Sequence, residues 1–117
     1  MATTALRTIT ITYSGDVSGT ETLSAASNAA SPGSIEIKTL SSGFNSISVP
    51  TGGTTVTACT IVPPTGNTTS IIVKGITGDT GIRIHNTDPT TIAIDSSVTT
   101  IGLTAGAGIT GVRLYWS

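Results

Sequence analysis

Apolar residues return about every ten positions along this chain, in short runs set off by turn residues, as in all-β domains. The densest part, from Ser70 to Leu103, holds four such runs: Ile71–Val73, Ile82–Ile84, Ile92–Ile94 and Ile101–Leu103. Gly78-Asp79-Thr80-Gly81, Asn86-Thr87-Asp88-Pro89 and Asp95-Ser96-Ser97 separate them. Ile82-Arg83-Ile84, Ile92-Ala93-Ile94 and Ile101-Gly102-Leu103 alternate, and a period of two is what a strand buried on one face requires.

The same pattern extends to both ends. Leu6 to Tyr13 predicts a first strand with Ile9, Ile11 and Tyr13 on one face and Thr8, Thr10 and Thr12 on the other. Glu21 to Leu23 fits a short second strand, and Ser24 to Pro32, small and polar, reads as a surface loop. Ser34 to Leu40 alternates again, with Ile35 and Ile37 expected inside and Glu36 and Lys38 outside. Phe44 to Val49 turns Ile47 and Val49 inward, and Pro50 with Gly52-Gly53 ends that run. Thr54 to Val62 is strongly β-forming, and Thr54–Cys59, like Ile9–Tyr13, reads as an edge with little charge to guard it. Gly111 to Trp116 closes the series with Val112, Leu114 and Trp116 on one face.

These elements predict an all-β chain: a single domain over residues 1–117, a jelly-roll-like β-sandwich of eight to ten short antiparallel strands. The expected core is Ile9, Ile11, Ile35, Ile37, Ile72, Ile82, Ile84, Ile92, Ile94, Leu103 and Leu114.

Composition adds one question. Only 9% of the residues are charged and the mean hydropathy is +0.31, whereas soluble surfaces carry about 25–35% charged residues. Threonine supplies about a fifth of the chain, so hydroxyls replace part of the missing charge. The remaining shortfall points to apolar surface covered by a partner. A net charge of −1 and five scattered basic residues exclude a phosphate-binding patch, and so nucleic acid, as the partner. No apolar run approaches the ~18 residues of a membrane span, and the start lacks a cationic and apolar leader, so a cytoplasmically made protein is expected.

Candidate chemistry is sparse. Asp79-Thr80-Gly81 matches the triplet that carries the carboxylate of aspartic proteases, but Gly78 precedes it where that family has an apolar strand. The simpler reading is a hairpin turn, with Asp79 bonded to nearby amides and Gly81 at positive φ. His85 is the single histidine, and its spacing to Asp88 and Asp95 matches no metal-ligand pattern. Cys59 stands alone, which excludes an intrachain disulfide, and reads as a small apolar residue. Asn67-Thr68-Thr69 matches a glycosylation sequon without an export signal, and Ala105-Gly106-Ala107-Gly108 lacks the lysine of a phosphate loop. The expectation is therefore no enzyme, with no catalytic, cofactor-binding or metal-binding residue.

The stretch I-I-V-K-G-I-T-G-D-T-G-I-R-I-H-N-T-D-P-T-T-I-A-I-D-S-S-V-T-T-I-G-L, followed by V-R-L-Y-W, resembles small virion structural proteins of tailed bacteriophages. The resemblance covers the carboxyl-terminal half and rests on a K-G-x-x-G-D-T-G-like turn, an Asp-Pro-Thr strand and an aromatic end. It implies a non-enzymatic capsid decoration (cement) protein, located on the virion and bound to the major capsid protein and to itself, with a homotrimer favoured. No membrane partner and no cofactor belong to that expectation. Tyr13, Phe44, Tyr115 and Trp116, all the Phe, Tyr and Trp residues the chain has, are the candidate interface. The alternative is a tail- or fibre-associated carbohydrate-binding or adhesion module, which would use the same rings.

Overall fold

The computed structural model describes residues 3–16, 19–30, 35–50, 56–95 and 97–117. Ten strands are present and, among these residues, no helix: β1 (Thr3–Tyr13), β2 (Gly19–Ala30), β3 (Ile35–Leu40), β4 (Gly43–Ser48) and β5 (Ala58–Val62). They are followed by β6 (Ile71–Lys74), β7 (Ile82–Arg83), β8 (Thr90–Ala93), β9 (Thr100–Ala105) and β10 (Ile109–Trp116). The all-β expectation and its strand number hold.

The last eight strands form two four-stranded sheets of order β3-β10-β5-β8 and β4-β9-β6-β7. Every strand pair in them is antiparallel. Consecutive strands thus cross from one sheet to the other at most steps, which is the winding of a jelly roll. The inner faces meet in one core built on Leu40, Ile61, Ile71, Leu103, Val112, Leu114 and Trp116. In β10 the sequence phase is right, since Val112, Leu114 and Trp116 are all enclosed. Ile47, Val49, Ile84 and Leu103 are buried as expected, and Ile92 and Ile94 pack against the core while half-exposed.

Six expected core residues lie elsewhere. Ile35 and Ile37 are 61% and 73% exposed, because β3 presents them to the outer face beside Tyr115 and Arg113. Glu36 and Lys38 take the inner phase, opposite Leu114 and Val112, with Lys38 Nζ 3.3 Å from Glu36 Oε2. This inversion is possible because β3 is an edge strand, where inner positions still reach water. Ile82, 74% exposed, pairs with Val73 and lines an open groove with it and Ile94. Ile72 faces outward and is only half-buried, because in the run Ile71-Ile72-Val73 alternation selects no phase.

Ile9 and Ile11 lie in a separate sheet. β1 and β2 form a two-stranded ribbon that pairs with neither sheet, and both isoleucines are 38% exposed. β2 extends through Ala30, so the stretch expected to be a loop is strand for most of its length, its last part lying outside the described residues. β1 shapes it: its long Thr-Ile alternation offers a ladder, and residues 19–30 pair along it with one irregularity at Ile9/Thr10. The edge expected at Thr54–Cys59 is also revised. Residues 54–55 lie outside the described residues, and β5 is interior, between β10 and β8.

Candidate functional site

The turn from Gly75 to Gly81 carries the most suggestive motif. Asp79 Oδ2 accepts hydrogen bonds from the Gly75 amide at 3.0 Å and the Ile76 amide at 2.9 Å. Gly81 sits at φ 74°, with Val73 O where a Cβ would be. The carboxylate is therefore committed to closing a turn, as the spacing implied. A shallow apolar groove of about 500 Å3 lies beside it, lined by Val73, Ile82, Ile94, Val98 and Ile101, with Lys74 and Asp79 at its polar side.

His85 closes a second turn. Its Nδ1 accepts from the Asp88 amide at 2.9 Å and the Thr87 amide at 3.2 Å. A ring nitrogen that accepts two amide protons carries none itself, so Asp88 Oδ2, 3.7 Å away, forms no ion pair with it in this arrangement. Asp95 is hydrogen-bonded by the Ser97 hydroxyl and by the Ser97 amide at 2.9 Å, which together hold its carboxyl below the usual range. Among the described residues, no three His, Cys, Asp or Glu side chains converge where a metal ion could sit.

Cys59 is enclosed on β5, opposite Trp116 and Ile92. Burial first, and the Glu36 charge second, push its thiol up to about 12. A thiol enclosed in the core and held neutral at physiological pH is a poor nucleophile.

Two asparagines that alternation does not single out do structural work. Asn45 Nδ2 donates to the carbonyls of Ser41, Gly43 and Leu103, while its Oδ1 accepts from the Ser41 amide. That fixes the corner between β3 and β4. Asn67 Nδ2 reaches Thr69 O and Asn86 O, both at 2.8 Å, tying the β5–β6 loop to the β7–β8 loop. Only loop adjacency in space reveals that role, so the sequon was its one visible signal.

The four aromatic candidates do not gather into one surface. Tyr13 is 58% exposed on β1. Phe44 lies half-buried on the outer side of β4, its ring filling the place of a side chain at Gly102. Tyr115 is half-buried on the outer face of the other sheet, where Arg113 Nη1 donates to its hydroxyl at 3.2 Å. Trp116 is 1% exposed and belongs wholly to the core, so it offers no surface to a partner.

What the structure does bring together is an apolar outer strip at the β3 edge. Ile35 lies directly across from Tyr115, and Ile37 from Arg113, with Val62 next on β5. Thr60 and Thr91 continue the face, their hydroxyls 2.8 Å apart. The strip can bind a surface of like character; none of its groups is placed for acid, base or nucleophilic chemistry. No family model, no curated protein and no solved structure matches this chain.

Proposed function

We propose that this chain is a non-enzymatic structural protein of a tailed-phage virion. In this reading it is a decoration (cement) protein that binds the outside of the head and stabilises contacts between capsid subunits. The observation that carries it is apolar surface left uncovered on a sparsely charged molecule. Ile35 and Ile37 stand in solvent on an edge strand, and the described side chains of β1 from Thr8 to Tyr13 are exposed on both faces of the ribbon. Surfaces of this kind serve association between proteins. The jelly-roll winding agrees with it as a likeness of fold only, since viral capsid and lectin domains share it. The partners are the major capsid protein and further copies of this chain.

The test is to add purified protein to phage heads that lack it. Saturable co-sedimentation with a rise in the temperature at which the heads open supports the reading. Heads that neither bind the protein nor gain stability overturn it.

One observation favours the tail-module alternative: Tyr115, flanked by Arg113 and directly across from Thr60, is an aromatic ring with polar neighbours, a combination that suits a sugar. Glycan-array binding abolished by Tyr115→Ala would promote it.

A further inference from the structure

Strand β3 pairs with β10 along one edge, and among the described residues nothing pairs with the other. Its inner positions carry Glu36 and Lys38, whose side chains are 26% and 41% exposed and 3.3 Å apart. Charges turned inward at an edge normally discourage strand addition, because an incoming strand must cover them. Here the two charges are opposite and two residues apart, with Ile37 between them. A second β3, run antiparallel about Ile37, places Lys38 of one copy opposite Glu36 of the other, twice. Ile37 then meets Ile37 on the two-fold axis, and Ile35 lies across from Thr39. The edge that rejects a generic strand is complementary to itself.

We propose that two copies of this chain associate edge to edge through β3, joining their β3-β10-β5-β8 sheets into one eight-stranded sheet across a two-fold axis. The occupant of the edge is a second copy because an antiparallel β3 supplies both charges in register and sets exposed Ile37 against Ile37. Such a contact is isologous and closes after two members, so it cannot grow into a fibre. It differs from the three-fold association that the phage resemblance implies, and particle mass separates the two. A six-residue edge lies at the small end of specific interfaces, so dissociation at roughly micromolar concentration is expected. The inference stands apart from the decoration reading: a monomer that binds heads overturns only the dimer, and a dimer that ignores them overturns only the decoration role.

The experiment is sedimentation equilibrium at tens of micromolar on four chains. Wild type is expected at twice the 11.6 kDa of one chain. Glu36→Lys and Lys38→Glu, which each set like charges across the axis, are expected to be monomers. The double variant Glu36→Lys/Lys38→Glu restores the complement and is expected to regain the dimer. A monomeric wild type, a trimer indifferent to both exchanges, or a double variant without rescue overturns the proposal. Should the single variants fail to fold, mild oxidation of Ile37→Cys decides. That variant is expected to cross-link as a dimer, while Ile82→Cys, equally exposed but away from the edge, does not. Equal cross-linking of the two also overturns the proposal.

Discussion

Cys59 shows how completely the core closes over a polarisable group. Its thiol stays neutral up to about 12 in the folded protein, against 9.0 ordinarily. Above pH 9 the unfolded chain releases this proton while the folded chain keeps it, so stability falls as pH rises, on the order of 1 kcal/mol per unit. Denaturation midpoints between pH 8.5 and 10 should show that decline in wild type and a shallower one in Cys59→Ala. Equal slopes would mean the thiol is accessible. At Gly81, positive φ and the nearby Val73 carbonyl leave no room for a methyl group. Gly81→Ala is expected to cost about 2 kcal/mol or more, from a left-handed backbone plus a displaced neighbour. Asp79→Asn keeps an acceptor for the Gly75 and Ile76 amides and should lose much less. Urea titration of the two variants compares them directly; an equal loss would remove Gly81 from the explanation.

At the scale of the element, β3 and β10 lie side by side and spend their isoleucines and leucines differently. Leu114 is enclosed, whereas its diagonal neighbour Ile37 is on the opposite face in solvent. Leu114→Ala should cost about 2–5 kcal/mol, from lost burial and the cavity left behind. Ile37→Thr should change stability by no more than about 0.5 kcal/mol, as surface replacements do, although a reading from alternation alone ranks the two alike. Chemical denaturation of the monomeric protein decides between these phases. A large loss for Ile37→Thr would mean that β3 has its faces the other way round.

The whole molecule has two parts of unequal support. Its radius of gyration is 15.4 Å, against roughly 13 Å for a compact chain of this length. Among the described residues no third strand pairs with the β1–β2 ribbon, and a two-stranded ribbon is marginal in water, whereas the eight-stranded sandwich has a closed core. Hydrogen exchange should therefore be fast in Thr3–Tyr13 and Gly19–Ala30 and slow in β9 and β10. Heat should melt the ribbon before the sandwich. Protection in β1 equal to that in β10 would show that the ribbon packs on the sandwich in solution. Selective protection of the ribbon on adding phage heads would identify it as the part that docks.

Alternation, spacing and turn chemistry were enough to establish an all-β sandwich, the face of β10 and the closure at Asp79 and Gly81. Each of these depends on residues close in sequence: a period of two, a carboxylate within reach of amides three and four positions back, a glycine where φ must be positive. The phase of β3 was not legible. Period says that neighbours face opposite ways, but which way is inward depends on whether the strand is interior or at an edge, and strand order is a long-range property. The same limit hid the ribbon: Ile9 and Ile11 look like core residues until β1 is found paired with β2 alone. It scattered the aromatic set too, sending Trp116 inside and leaving Tyr115, its neighbour in the chain, on the surface. The ties made by Asn45 and Asn67 were invisible for the same reason, since each joins backbone segments that only the jelly-roll winding brings together.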